Sequence, residues 1–270
     1  MEVTCENLYS VGGTVSGLFA GYEMELFNNG VSVLTVPGTA TGNTSFTLPS
    51  TFEDGADYVV TVTNVLQDCD VSDGSGSISG ANVSNVTVTC SQRVMFLSDT
   101  TYDGNLQGAA ISGVVGADAK CAADPQCPAG FVCKAMLGAT LIQERTACTT
   151  ANCSGGPSEH VDWVLLPSTA YVRPDGSTVV GITNENAIFE FDLNNGLSDT
   201  QQFAWTGLNR DWTTHFFKCF SWTSNSGISD QGEAGDASAI NNTFLDFYNF
   251  TGDPLCNTLE HLICVAQESI

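Results

Sequence analysis

The chain has 270 residues and carries 7 Lys and Arg against 30 Asp and Glu, a formal net charge of -23. Such a charge repels nucleic acids, heparin-like polyanions and anionic membrane surfaces, so we expect no nucleic acid and no heparin among its partners. Hydrophobic residues make up 42%, which is typical of a folded protein. The sequence contains no run of about 18 apolar residues, so we expect no membrane insertion.

The eleven cysteines indicate the compartment in which the protein works. The sequence has no Cys-x-x-Cys pair and only three histidines, so structural zinc has few ligand spacings to use. Disulfide bonds in an exported protein are the better interpretation. Residues 1–5 lack the basic and apolar regions of a signal peptide, and we expect them to begin a mature chain that is extracellular or attached to a bacterial outer surface.

Residues 1–92 contain short β-branched runs separated by turn residues, and no Lys or Arg. The turn sequence Asn28-Asn29-Gly30 between two apolar segments predicts a β-hairpin. Short strands at this spacing predict an all-β sandwich. We expect Cys69 and Cys90 to pair within it, which leaves Cys5 as the odd thiol.

Three parts of this segment, residues 9–18, 58–63 and 82–90, resemble bacterial immunoglobulin-like surface repeats. The resemblance implies that residues 1–92 form an immunoglobulin-like β-sandwich. It also implies that this domain acts as a spacer that holds the following domain away from the cell, without a ligand of its own.

The composition changes at Arg93, because all seven Lys and Arg and all four Trp lie in residues 93–270. The apolar pattern predicts a short helix over residues 116–124 that Pro125 ends. It predicts strands over residues 94–97, 161–166, 187–191 and 262–266. Residues 221–254 show little periodicity, and long irregular stretches in a compact domain are typical of binding loops.

Four stretches, residues 116–121, 132–137, 204–222 and 256–264, resemble endostatin-like domains of the C-type-lectin-like fold. They are also similar to endostatin-like surface proteins of spirochaetes and other Gram-negative bacteria. The resemblance implies an α+β fold over residues 93–270, with disulfide bonds Cys121–Cys264 and Cys219–Cys256. It places Trp205 in the core, and we expect Trp222 to be buried beside the disulfide of Cys219.

The other four cysteines of this half have no counterpart in that framework: Cys127, Cys133, Cys148 and Cys153. Local pairing, Cys127 with Cys133 and Cys148 with Cys153, is the simplest scheme. The sequence alone leaves their connectivity open.

A candidate ligand-binding patch consists of Arg210, Asp211, Trp212 and His215. It includes a turn-like polar run, after which we expect Trp212 to be exposed, and exposed Trp and Arg are typical of binding hot spots. We interpret the carboxylates Asp230, Glu233 and Asp236 as a solvated acidic loop, and a Ca²⁺ site formed by their oxygen ligands is the alternative. The calcium-binding triplets of sugar-binding lectins are missing, and we expect no other cofactor.

The sequence contains none of the common signatures of hydrolases, nucleotide-binding enzymes or metalloproteases, so we do not predict an enzyme. We expect an adhesin-like binding protein that presents its C-terminal domain to a ligand. The spirochaetal resemblance implies an extracellular-matrix or complement-type host protein, and a glycan is the other candidate. Two alternatives are an extracellular enzyme acting on polysaccharide or glycoprotein, and a structural surface-layer component.

Overall fold

A computed structural model of the chain describes residues 7–18, 23–38, 43–63, 69–90, 92–140, 144–248 and 252–267. The chain divides into two compact units, Met1–Gln92 and Arg93–Ile270. Both are rich in β-strands, and helices are few among the described residues. No helix in these ranges is long and apolar enough to cross a membrane.

In its described residues, the first unit has eight strands in two sheets. They are β1 (Val11–Ser16), β2 (Glu23–Asn28), β3 (Val31–Pro37), β4 (Asn43–Thr47), β5 (Asp57–Thr63), β6 (Cys69–Ser72), β7 (Ser75–Ser77) and β8 (Val83–Cys90). One sheet has the order β4-β1-β8-β6 and the other β3-β2-β5-β7. Alternate side chains of both sheets, such as Val15, Leu26 and Val88, share one buried core, as the period of two in a half-buried strand requires.

The hairpin predicted around Asn28-Asn29-Gly30 is confirmed. Strands β2 and β3 pair antiparallel, with Asn28 opposite Val31. Asn29 and Gly30 have φ angles of 49° and 79°, the left-handed region that a two-residue hairpin turn needs and that these residues adopt at the least cost.

The second unit is built around a seven-stranded sheet. Its strands are β9 (Gln92–Leu97), β10 (Val132–Ala135), β11 (Ala170–Val172), β12 (Val179–Ile182), β13 (Phe203–Trp205), β14 (Ala234–Asp236) and β15 (His261–Gln267). The order is β12-β11-β9-β15-β13-β14, and β10 also pairs with β15. The central strand β15 buries every residue from Leu262 to Ala266.

Helix α1 (Gly113–Ala123) covers part of this sheet. It begins three residues before the predicted start because Ser112 caps it, with its Oγ accepting a hydrogen bond from the Val115 amide at 3.2 Å. Val114, Ala117 and Cys121 form its buried face. The other helical segments in the described ranges are single turns, Ala151–Cys153, Pro157–Glu159, Cys219–Trp222 and Asn242–Phe244.

Two of the predicted strands are confirmed, since residues 94–97 lie in β9 and residues 262–266 in β15. The strands predicted over residues 161–166 and 187–191 are wrong. Val161 and Phe189 each make only an isolated bridge, and positive φ angles at Asp162 and Ala187 interrupt the extended backbone. Val164, Leu165, Ile188 and Phe189 of these segments are buried in the core although the backbone is irregular. Buried loop residues give the same apolar sequence signal as a strand.

Five disulfide bonds lie in the described part of the chain. The three expected pairs are confirmed, and the four cysteines whose connectivity was left open pair locally, as in the simplest scheme. The five bonds are Cys69–Cys90, Cys121–Cys264, Cys127–Cys133, Cys148–Cys153 and Cys219–Cys256. Cys5, expected to be the odd thiol, lies outside the described residues. The Cys121–Cys264 bond attaches α1 to the central strand β15 and closes a separation of 143 residues, which strongly restricts the unfolded chain.

Candidate functional site

A pocket of about 710 Å³ opens among the loops of the second unit. Its wall combines amides, charged groups and apolar side chains: Asn152, Asn184, Asn186, Asn242, Glu190, Arg210, Asp211, Asp246, Ile188, Phe189 and Phe191. The four amides and four charged groups outnumber the three apolar residues. The pocket is therefore suited to a ligand that makes many hydrogen bonds.

Arg210 and Asp211 of the predicted patch are part of this wall. Arg210 Nε donates to the Asp246 backbone oxygen at 2.9 Å. The Asp211 carboxylate accepts hydrogen bonds from the amide and hydroxyl of Thr213 at 3.1 and 2.6 Å. The Asn152 backbone N–H donates to the Asp211 backbone oxygen at 2.8 Å. These contacts join three separate loops into one wall.

The expectation that Trp212 is exposed is wrong, because its exposed fraction is 0%. Its indole stacks on Phe191, with ring centroids 5.9 Å apart and planes 13° from parallel. Its Nε1 donates to the Phe189 backbone oxygen at 3.2 Å. The polar residues before it form a tight turn in which Trp212 has a φ of 69°, so the indole packs beneath the two pocket phenylalanines.

The predicted patch is therefore divided, since His215 is fully buried as well. Its Nε2 lies 3.9 Å from Glu233 Oε2, and both side chains have no exposed surface. The expected burial of Trp205 and Trp222 is confirmed. The Trp222 Nε1 donates to the Gly138 backbone oxygen at 2.8 Å.

The structure does not bring the candidate calcium ligands Asp230, Glu233 and Asp236 together as a group, and that alternative is wrong. Asp230 accepts a hydrogen bond from the Ser224 hydroxyl. Asp236 accepts from Gln201 Nε2 and the Ser238 amide, each at 2.9 Å. Strand β14 is extended between Glu233 and Asp236, so closeness in sequence does not become closeness in space.

Glu233 instead belongs to a group that the sequence did not reveal. His215, Glu233 and Asp246 each offer a ligand atom, and these atoms lie within 4.8 Å of one another. All three residues are buried. Burial, together with the neighbouring Asp253 and Asp246, raises the pKa of Glu233 to about 10, and burial lowers the pKa of His215. The members are 18 and 13 residues apart, so no short motif could have identified them.

A second surface feature was also missed. Phe216 and Phe220 are 79% and 72% exposed and line a smaller pocket of about 300 Å³. Phe220 lies in the turn Cys219–Trp222, whose four residues all have left-handed φ angles between 47° and 68°. Such a turn is costly for L-residues, and the Cys219–Cys256 bond and the buried Trp222 hold it in place.

Together these features define a β-rich, disulfide-bonded protein with a polar pocket in its second unit. Residues 100–240 match a protein family described as "Protein of unknown function (DUF1554)". The match covers slightly more than half of the 270 residues, so the chain belongs to this family. It includes Arg210 and Asp211 of the pocket and Glu233 of the buried group. No curated protein matches the chain.

Proposed function

We propose that the chain is an exported, adhesin-like binding protein whose second unit binds a glycan in the polar pocket. The composition of the pocket wall is the observation that carries this proposal. Sugar hydroxyls both donate and accept hydrogen bonds, and an Asn amide also does both, while Glu190 and Asp211 accept and Arg210 donates. Phe191, which is only partly buried, supplies the apolar surface against which the ring of a sugar can pack.

We also propose a more specific fold for each of the two β-rich, disulfide-bonded units. In this proposal, the first unit is an immunoglobulin-like spacer and the second an endostatin-like member of the C-type-lectin-like fold. Support comes from the two bridges that this resemblance implies, Cys121–Cys264 and Cys219–Cys256. Export is supported by the disulfide bonds, which persist in oxidising compartments.

The test is a glycan array probed with the full chain, followed by titration of the best ligand. We expect Arg210→Ala to weaken binding by about 1–3 kcal/mol, which is roughly 5- to 150-fold. Glu190→Gln should weaken it less, because only one acceptor changes. Glu185→Gln is the matched control, because Glu185 is exposed but is not part of the pocket wall.

Binding by Arg210→Ala that equals that of the wild type would place the ligand elsewhere and refute the pocket. Absence of binding across the array would refute the glycan as ligand. If the bound glycan is cleaved, the extracellular enzyme becomes the better explanation, and chromatography of the ligand after incubation detects the products.

A protein partner is a second candidate, favoured by the exposed Phe216 and Phe220. Exposed aromatic side chains around a pocket are typical of interface hot spots. The net charge of -23 favours a basic partner, such as a basic extracellular-matrix protein. The double variant Phe216→Ser with Phe220→Ser should lose binding to that partner and retain glycan binding. If the double variant instead retains binding to the protein partner and loses glycan binding, Phe216 and Phe220 do not form the surface that binds the protein partner.

A further inference from the structure

A buried group of ionisable side chains lies in the second unit: His215, Glu233, Asp246 and Asp253. The Nε2 atom of His215 is 3.9 Å from Glu233 Oε2. With one oxygen of Asp246, these atoms lie within 4.8 Å of one another. Asp253 is close enough for its charge to act on both His215 and Glu233.

Two of these carboxylates are buried, since Glu233 is 0% and Asp253 4% exposed. By distance and angle, neither forms a hydrogen bond in the described part of the chain. Asp253 and the Tyr248 backbone nevertheless lie close enough to Glu233 to affect its pKa. An unsatisfied buried carboxylate is costly, and neighbouring carboxylates add repulsion. The nearby Arg210 does not remove this cost, since its Nε is 3.9 Å from Asp246 Oδ1 and it forms no ion pair with Glu233 or Asp253.

The donor set is suited to a divalent transition-metal ion. Imidazole nitrogen and carboxylate oxygen are common ligands of Zn²⁺, at about 2.0–2.2 Å from the metal. In a tetrahedral site, two such ligands are about 3.4 Å apart. The 3.9 Å between His215 and Glu233 therefore requires a shift of only about half an ångström. Ca²⁺ and Mg²⁺ fit less well, because they prefer oxygen ligands throughout.

The surroundings of His215 also allow metal binding. The Phe217 backbone amide donates to Nδ1 at 3.1 Å, and the Phe217 backbone oxygen lies 3.3 Å from the same atom. Metal binding through Nε2 requires the other tautomer, in which Nδ1 carries the proton and donates to the Phe217 oxygen. A backbone carbonyl behind the ring is the usual partner of a metal-binding histidine.

We propose that His215, Glu233 and Asp246 bind one Zn²⁺-type divalent ion inside the second unit. The ion joins three segments that are separated in sequence, and one of them carries Asp246 in the wall of the polar pocket. The competing explanation is a protonated Glu233 that needs no ion. The proposal does not depend on the nature of the ligand in that pocket.

The first experiment uses the full wild-type chain. After treatment with a chelator, it is titrated calorimetrically with ZnCl₂, and separately with MnCl₂ and CaCl₂. We expect one Zn²⁺ per chain, weaker binding of Mn²⁺ and the weakest binding of Ca²⁺. At a free Zn²⁺ concentration about 100 times the Kd, we expect Tm to rise by about 5 °C or more. Absence of Zn²⁺ and Mn²⁺ binding would overturn the proposal.

The second experiment locates the ion. Glu233→Gln preserves size and removes the charge, and we expect it to weaken Zn²⁺ binding at least tenfold. Asp230→Asn is the matched control, because Asp230 lies nearby in sequence but outside the group, and it should bind Zn²⁺ like the wild type. Equal Zn²⁺ affinity of the wild type and Glu233→Gln would overturn the site.

A third measurement needs no variant, so that it remains decisive if Glu233→Gln does not fold. The chain has only three histidines, His160, His215 and His261. In nuclear magnetic resonance spectra of the imidazole groups, Zn²⁺ should shift the signals of His215 and leave the other two unchanged. A shift confined to His160 or His261 would place the ion elsewhere and overturn the proposal.

Discussion

Replacing Trp212 by alanine should destabilise the second unit, although the residue lies next to a candidate binding surface. The indole has no exposed surface and is packed on Phe191, Phe189 and Trp163, with ring centroids 5.9 to 6.1 Å away. The Trp212→Ala change would remove all of these contacts. It would also leave the Phe189 backbone oxygen without the hydrogen bond from Trp212 Nε1.

The expected loss follows from these contacts. A buried Trp-to-Ala change costs about 3–5 kcal/mol, and the orphaned carbonyl adds about 1 kcal/mol. For a unit of this size, each kcal/mol corresponds to about 2–4 °C in Tm, so a total loss of about 4–6 kcal/mol should lower Tm by roughly 8–24 °C. Trp212→Phe keeps an aromatic ring and should lose less than half as much. Because Phe189 and Phe191 also line the polar pocket, Trp212→Ala should weaken ligand binding through loss of structure.

Differential scanning calorimetry of the full chain checks this, with the transitions of the two units fitted separately. Phe216→Ala is the matched control, because this aromatic side chain is 79% exposed and its removal should change stability by less than about 0.5 kcal/mol. A Tm of Trp212→Ala within 1–2 °C of the wild type, roughly what a surface change gives, would refute the reasoning.

Three further predictions concern disulfides, pH and polyanions. Replacing Cys121 and Cys264 by Ala should lower the free energy of unfolding by about 5 kcal/mol, because this bond closes a long loop. Replacing Cys127 and Cys133 should lower it by only about 2 kcal/mol, because their loop is short. Equal losses for the two double variants in urea titrations would contradict this prediction. Burial raises the pKa of Glu260 from 4.5 to about 7, so its contribution to stability falls as pH rises through that interval. At about pH 8, Glu260→Gln should therefore be more stable than the wild type by up to about 3 kcal/mol, with no difference near pH 4. A gain in stability that is the same at all pH values would argue against this prediction. An equal gain for the control Glu185→Gln, at an exposed position, would also argue against it. The chain should pass through a heparin column at about 0.15 M salt, and retention would reveal a basic patch strong enough to overcome the net charge.

Local signals in the sequence predicted local structure well. The Asn29-Gly30 turn works through backbone preferences of these two residues, which do not depend on distant contacts. Helix α1 is likewise set by local signals, with Ser112 as its cap and Pro125 just beyond its end. The disulfide pairs were reached by a different route. A resemblance implied Cys121–Cys264 and Cys219–Cys256, and short spacing made Cys127–Cys133 and Cys148–Cys153 the simplest scheme.

The failures share one physical cause, because a local sequence pattern does not specify the path of a loop. Residues 161–166 and 187–191 are apolar like strands, yet they lie in irregular backbone that buries only some of their side chains. Trp212 follows a polar turn, and only the left-handed backbone at this residue sends its indole inward. The group of His215, Glu233 and Asp246 depends on the path of three loops, which no local pattern specifies.

Two buried ionic groups lie in the described part of the second unit, and the balance of charge within each indicates which one is purely structural. The fully buried Arg145 binds both oxygens of Asp118, at 2.7 and 2.9 Å, and also the Ala135 backbone oxygen at 2.7 Å. Its charge is balanced by Asp118 and Asp162, as a buried ion needs if it is to be tolerated without a ligand.

The group around Glu233 has the opposite character, with three carboxylates around one histidine. Within the described ranges, the oxygens of Glu233 and Asp253 form no hydrogen bond of ordinary distance and angle. A fold that needed only a filled interior would be more stable with apolar side chains at these places, because they carry no desolvation cost. Excess negative charge in a buried site is compensated either by a proton or by a cation. The first measurement should therefore establish which of the two is bound in this group. Zn²⁺ titration and the three histidine signals distinguish these two states.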